Sequence, residues 1–486
     1  MTRPTARRWA AAVAMAATIC VLLASCGVQA GGRSTLSAPG DPAVDDPTVA
    51  GQGGPPVTAT TTSTTTPPST PGVKIHGDEG QSVNRVVANA IVDLQSYWKA
   101  EMPKVYDGQA YQPVTGGFYA VDPGSSALPP CAKAADDIAG NAYYCGSRDV
   151  VAWDDSGLMP KLQHDFGSFT VAVVIAHEWG HAIQARVGFE GATITREQQA
   201  DCFAGSWVKH VQDGGSTRFH ITVADLDQAL AGFLFLRDEP GGAADDPSAH
   251  GSGFDRVSAF QTGFDDGAST CAQFRDGSPP VLEFPFSKDD PENGDLPYRQ
   301  IVPDAFKSLE AYWKQEYPKV SDGDAWKPLD APQPFTDAHD PTCDGKKVDG
   351  YALFYCVPDN YVGFDNATTM PEIYQQGGDF SVASLLATQY GLAVEYRLDD
   401  APSDEEDLTL RGDCYAGAWS QSLLPYEGNQ SDLQLSAGDL DEAIAALLLF
   451  RGPQDRARQG PGFARVKAFR AGVIEGPKAC TNHLKD

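Results

Sequence analysis

The chain has 486 residues, enough for two or three domains, and 42% of them are hydrophobic, which supports substantial cores. Its formal net charge is −29, from 36 Lys and Arg against 65 Asp and Glu. An acidic balance of this size excludes nucleic acid as a partner and any electrostatic hold on an anionic membrane surface.

The N-terminus reads as an export signal. Arg3, Arg7 and Arg8 precede an apolar run from Trp9 to Leu23 that is too short for a comfortable membrane span. Leu23, Ala24, Ser25 and Cys26 follow, a stretch that resembles a bacterial lipobox. That resemblance implies cleavage before Cys26 and lipidation of its thiol, so residues 1–26 are expected to deliver the protein to the outer side of the cell membrane and anchor it there. Two or more acyl chains make a stable anchor, since each buried methylene adds about 0.8 kcal/mol. Residues 27–75 are dominated by Gly, Ser, Thr, Ala, Pro and Asp, and Thr58 to Pro71 has no hydrophobic periodicity. This segment is expected to be a disordered linker.

Residues 76–275 read as the first folded domain. Val150 to Trp153 has the composition of a short strand and is expected to form an edge to which a peptide could add. The apolar, breaker-free run from Val171 to Ala176 leads into His177, Glu178, Trp179, Gly180 and His181. On a helix, residues four apart share a face, so both imidazoles can grip one metal ion with Glu178 beside them. This is the H-E-x-x-H arrangement of zinc peptidases. Gly188 is placed to end that helix. A second helix is expected to start at Thr195, with Gln198 completing a capping box. Glu197 and Asp201 lie on one face of it and are the two candidates for the third protein ligand that zinc requires. His164, His210 and His220 have no implicating spacing and read as surface residues.

Residues 296–486, beyond a Pro-, Asp- and Gly-rich linker at 276–295, repeat the first domain. Leu94, Tyr97 and Trp98 reappear as Leu309, Tyr312 and Trp313; Asp201 and Cys202 as Asp413 and Cys414; Asp225 and Asp227 as Asp439 and Asp441; Phe254 and Arg256 as Phe463 and Arg465. After Cys20 and Cys26, four cysteines fall in each copy in the same order. Each set allows three connectivities; the expected one is Cys131–Cys145 with Cys202–Cys271, and Cys343–Cys356 with Cys414–Cys480.

The second copy discriminates between the ligand candidates. His177, Glu178 and His181 correspond there to Thr388, Gln389 and Leu392, and Glu197 to Thr409, yet Asp201 persists as Asp413. A group lost together with both histidines is expected to be a ligand, and a group kept without them to be structural. Glu197 is therefore assigned to the metal with His177 and His181, while Asp201 is expected behind them, orienting a histidine N–H. His250, replaced by Gln459, is a candidate donor to a developing oxyanion.

These residues, with Tyr97 and Trp98 upstream, Tyr144 to Asp154, Glu197 to Trp207 and the pairs His250–Gly251 and Arg256–Val257, resemble the neutral zinc metallopeptidase family of bacteria over about residues 80 to 275. The resemblance implies a zincin-like α+β fold, helix-rich with a small sheet, here duplicated in tandem. It implies a membrane-associated peptidase that holds Zn2+ and acts on a peptide or protein substrate. Glu178 would then serve as general base toward a metal-activated water. The second copy is expected to be inactive, and three roles stay open for it: binding a protein partner, shaping substrate access to the first copy, or bracing it. The competing reading is a non-catalytic envelope scaffold or binding lipoprotein with a structural or vestigial metal site.

Overall fold

The structure is a computed structural model that describes residues 49–52, 72–125, 127–241, 250–282, 284–287, 294–336, 341–398, 402, 404–426, 431–449 and 458–482. The expected export signal, Cys26 and most of the expected linker lie outside the described residues. Val49–Gln52 (β1) lies inside that linker and departs from the expected lack of structure, because it is an extended strand paired within a sheet.

In the first half, β2 (Ile75–His76) is followed by α1 (Ser82–Val105), β3 (Gly117–Val121), β4 (Ala142–Cys145), β5 (Val150–Asp154), α2 (Leu158–Phe166), α3 (Ser168–Val187), α4 (Thr193–Gln212), α5 (Val223–Phe235), α6 (Gly253–Asp266) and α7 (Ala268–Cys271). The second half begins with α8 (Tyr298–Val320), continues through β6 (Gln333–Phe335), β7 (Thr342–Cys343), β8 (Lys346–Lys347), β9 (Leu353–Cys356) and β10 (Tyr361–Asp365), and ends in α9 (Thr369–Gly377), α10 (Asp379–Glu395), α11 (Glu405–Gln421), α12 (Asp439–Leu449), α13 (Gly462–Glu475) and α14 (Ala479–Asn482). The same succession of helices and strand pair thus occurs twice. The protein is helix-rich α+β with small sheets.

Periodicity accounts for the helices. In α1, Val83, Val87, Ala90, Ile91, Leu94, Trp98 and Met102 recur at three- and four-residue steps and form one buried stripe. In α3 nearly every residue from Phe169 to Gln184 is buried, so this helix runs through the interior with neighbours all round. It packs against α1, α2, α4, α5 and β4.

The first-half sheet has the order β2-β3-β5-β4. β5 is parallel to β3 on one side and antiparallel to β4 on the other, and all five of its residues are buried. The expected edge at Val150 to Trp153 is therefore corrected: β5 is an interior strand, and β4 is the edge on that side. In the second half the order is β1-β9-β10-β6. There β9, the counterpart of β4, is covered by β1, whose backbone supplies partners to a row of edge groups that would otherwise be unpaired.

Four disulfides, Cys131–Cys145, Cys202–Cys271, Cys343–Cys356 and Cys414–Cys480, have the expected pairing. Cys202–Cys271 ties α4 to α7, and Cys131–Cys145 fastens the end of β4. The two halves share one continuous hydrophobic core. Described residues of the 276–295 linker join it, with Leu282 and Phe284 packed against the core and the Leu282 N–H bound to Asp255.

A reciprocal contact locks the halves. The N–H groups of Gly253 and Phe254, which start α6, donate to Asp441 of α12 at 2.9 and 2.7 Å. Those of Gly462 and Phe463, which start α13, donate to Asp227 of α5 at 3.0 and 2.7 Å. Each half caps a helix of the other, in the manner of a pseudo-twofold interface.

Candidate metal centre

The site grows out of α3. The helix ends at Gly188, whose left-handed backbone (φ 69°, ψ 41°) closes the last turn and suits glycine. The chain then reverses and α4 returns across α3. The two helices come close because Gly180 has no side chain: a Cβ there would lie 2.7 Å from the Ala200 Cα. This approach brings Glu197, one turn before Ala200, over the two histidines.

The expected start of α4 is corrected. The helix begins at Thr193, with Ala192 as its flanking residue, and no Thr195–Gln198 capping box forms. Asp276 caps the helix from outside, accepting from the Ala192 N–H and the Thr195 hydroxyl, both at 2.8 Å.

Three donor atoms meet. His177 Nε2 and His181 Nε2 are 3.2 Å apart, and Glu197 Oε2 lies 3.2 Å from the first and 3.3 Å from the second. Donors about 2.0–2.1 Å from a tetrahedral zinc ion are separated by roughly 3.3 Å. The triangle therefore has the edge lengths of three zinc ligands. Glu197 Oε2 is buried, and neither imidazole is aligned to give it a hydrogen bond. A buried carboxylate oxygen without a donor is costly unless a cation meets it. The donor set, two imidazoles and one carboxylate, suits zinc.

The groups behind the triangle fix its orientation. His177 Nδ1 is 2.6 Å from Asp201 Oδ1, and His181 Nδ1 is 2.9 Å from Gln184 Oε1. Gln184 gives its amide N–H to the Arg196 carbonyl at 2.7 Å, which leaves its oxygen for the imidazole. With both Nδ1 atoms so engaged, the Nε2 atoms are the ones turned toward Glu197. Asp201 is fully buried and also accepts two hydrogen bonds from the Arg256 guanidinium, at 2.9 and 3.1 Å.

The charges are mutually dependent. Burial alone would lower the pKa of His177, but Asp201 and Glu197 push it up to about 10. Burial opposes ionisation of Glu197, yet His181 and His177 hold it well below the usual carboxylate range. Glu178 differs: burial pushes its carboxyl above the ordinary value, while the histidines pull the other way. Its Oε2 accepts the Tyr144 N–H of β4 at 2.8 Å, so the edge strand and the carboxylate are directly linked.

His177, His181, Glu197, Asp201 and Glu178 are thus brought together. His250 is half exposed and faces Asp238, with Nδ1 3.3 Å from Oδ1; among the described residues it makes no contact with the triangle. His210 is not a free surface residue, because its ring packs on Tyr97 with centroids 5.0 Å apart. Sequence reading missed two groups, Gln184 and the Tyr144 amide. The three-residue step from His181 to Gln184 on one helix face could have revealed the first.

In the second half the corresponding place is filled differently. Gln389 donates to Thr388 at 3.0 Å, and a buried Arg411–Glu395 pair at 3.0 Å lies between α10 and α11. The Arg465–Asp413 pair remains, at 2.6 and 2.7 Å.

These observations define a helix-rich α+β protein with a buried His, His and Glu cluster. Residues 48–274, somewhat less than half of the chain, match the family described as "Putative neutral zinc metallopeptidase". The chain is similar to the uncharacterised protein YpfJ of Escherichia coli (strain K12), with 31% identity over 141 residues, 24% of this chain and 47% of that protein. It is also similar to the uncharacterised protein Rv2575 of Mycobacterium tuberculosis (strain ATCC 25618 / H37Rv), with 30% identity over 130 residues, 22% of this chain and 43% of that protein. The chain thus spans less than half the length of these relatives. No solved structure matches it.

Proposed function

We propose that the first half is a zinc-dependent peptidase and that His177, His181 and Glu197 hold the ion. The carrying observation is the donor triangle of 3.2, 3.2 and 3.3 Å with Glu178 buried beside it. Bound there, zinc would polarise a scissile carbonyl and lower the pKa of a water molecule toward about 7. Glu178 would take a proton from that water and deliver it to the leaving amine, a role suited to a carboxyl raised by burial. A peptide would lie along the outer edge of β4, next to the Tyr144 amide. Asp201 and Gln184 would orient the two imidazoles.

The test combines metal analysis with an assay on an unstructured protein substrate. One zinc per chain, removable by chelator without global unfolding, together with hydrolysis, is expected. Glu178→Gln should keep the zinc and lose turnover. Hydrolysis by that variant at the parental rate would remove Glu178 from the mechanism. Unfolding on chelation, with no hydrolysis by the zinc-loaded protein, would favour the structural-metal reading instead.

The second half is proposed to be an inactive duplicate, since Thr388, Gln389, Leu392 and Thr409 cannot together replace two imidazoles and two carboxylates. Export and anchoring through Cys26 complete the proposal. Cys26→Ser should release the protein from the membrane fraction; a variant that stays bound would refute the anchor.

A further inference from the structure

Away from the histidines, at the start of α10, the carboxylates of Asp295, Asp379 and Glu442 converge, with one oxygen of each within 4.8 Å of the others. Part of this has an ordinary explanation. The Asp379 N–H donates to Asp295 Oδ1 at 2.9 Å and the Phe380 N–H to Glu442 Oε2 at 2.8 Å, so two anions sit on the first amides of a helix.

Asp379 itself is not explained that way. Its side chain is 3% exposed. Oδ2 accepts the Leu296 N–H at 2.8 Å, but Oδ1 is buried and meets no donor. An acceptor surrounded by other acceptors is the least favourable arrangement for a buried carboxylate. A fourth carboxylate, Asp439, is buried nearby and held by Ser436, and it raises the charge of the group further. Among the described residues no lysine, arginine or histidine pairs with any of the four. Burial and mutual repulsion push Asp379 up to about 7, and Asp439 and Glu442 well above their ordinary values.

The first half supplies a comparison. At the positions equivalent by the sequence repeat, Asp379 is Ser168 and Glu442 is Gln228. The backbone cradle is the same in both. Gly167 and Gly378 have φ of 83° and 84°, and a Cβ on either would strike the facing side chain, Gln228 or Glu442. Two neutral groups in one cradle are thus two acids in the other, against each other and against Asp295.

We propose that Asp295, Asp379 and Glu442 form a binding site for a calcium ion in the second half, independent of the zinc centre. Oxygen donors without imidazole or thiolate select a hard cation. Carboxylate oxygens about 2.3–2.6 Å from one calcium can stand as far apart as these do. The Asp379 oxygen gains its missing partner. Asp295 and Glu442, both part-exposed, leave a route for the ion and for completing waters.

The experiment uses the zinc-loaded full chain and the variant Asp379→Ser/Glu442→Gln, which installs residues already accommodated by the first-half cradle. Calorimetric titration with calcium chloride should give one site in the parent, with an unfolding midpoint that rises by several degrees at saturation. In the variant, calcium affinity should fall at least a hundredfold while zinc content stays unchanged. Absence of both heat and midpoint shift in the parent up to about 10 mM calcium, above the weak end of biological calcium sites, would overturn the proposal. So would equal calcium affinity in parent and variant. A variant that simply melts higher than a calcium-indifferent parent would identify the cluster as a proton-sharing helix cap. Since zinc content is read separately, failure here leaves the peptidase reading untouched.

Discussion

Both histidines of the candidate metal centre are held from behind, and the groups that hold them set the strictest expectations. Gln184 holds the His181 ring through Nδ1. Gln184→Ala should lower zinc affinity by roughly 10- to 100-fold with little change in fold, checked by competition with a chromogenic chelator. The Glu178 carboxyl, raised by burial, has the opposite relation to stability. A raised carboxyl pKa means that ionisation costs folding energy above the folded value, and that the cost vanishes below the ordinary value of 4.5, where both states are protonated. In chelator-treated protein, Glu178→Gln should therefore melt higher than the parent at pH 7 and equally at pH 4; equal midpoints at pH 7 would contradict this. The histidines and Glu197 were legible in the sequence because helical spacing and joint loss in the second half are both linear signals. Gln184 and the Tyr144 amide were not, since one looks like any polar helix residue and the other is a backbone group placed by sheet order.

Among the elements, the meeting of α3 and α4 decides whether the triangle closes. Gly180→Ala would place a methyl 2.7 Å from the Ala200 Cα, a backbone contact that cannot yield by side-chain rotation. The helices should separate, weakening zinc binding while leaving helix content intact by circular dichroism; unchanged affinity would show that Glu197 has slack. The same close approach recurs at Gly391 and Gly412, where no such cluster occurs among the described residues, so it belongs to the packing of this helix pair rather than to metal binding. Helix identities were readable from apolar periodicity and from Gly188. The start of α4 was not, because its cap comes from Asp276, about eighty residues along the chain. Strand order failed for a similar reason. A buried run such as Val150 to Trp153 looks the same at an edge or in the interior until its neighbours are known.

For the whole molecule, the decisive fact is one core shared by both halves. The sequence repeat suggested two domains joined by a spacer, whereas Phe264 packs on Phe463 with centroids 4.7 Å apart and Gln261 donates to the Phe463 carbonyl at 3.0 Å. A linear reading sees homologous segments but not the surface through which they associate. Deleting residues 296–486 should accordingly uncover Phe264, strip the start of α6 of its Asp441 acceptor and yield a product that aggregates or melts well below the intact chain. Recovery of a soluble first half with the parental midpoint would restore the picture of independent domains. Asp441→Ala should cost about 1–3 kcal/mol by denaturant titration, since it strips two amide donors and the Arg237 guanidinium of their acceptor.

The exchange of Asp227 and Asp441 has a further implication for how such a chain changes over time. A mutation that weakens either carboxylate injures a helix it is not part of, so neither half can change freely at this seam without harming the other. Each half is thus constrained through the fold of its neighbour, whatever its own chemistry.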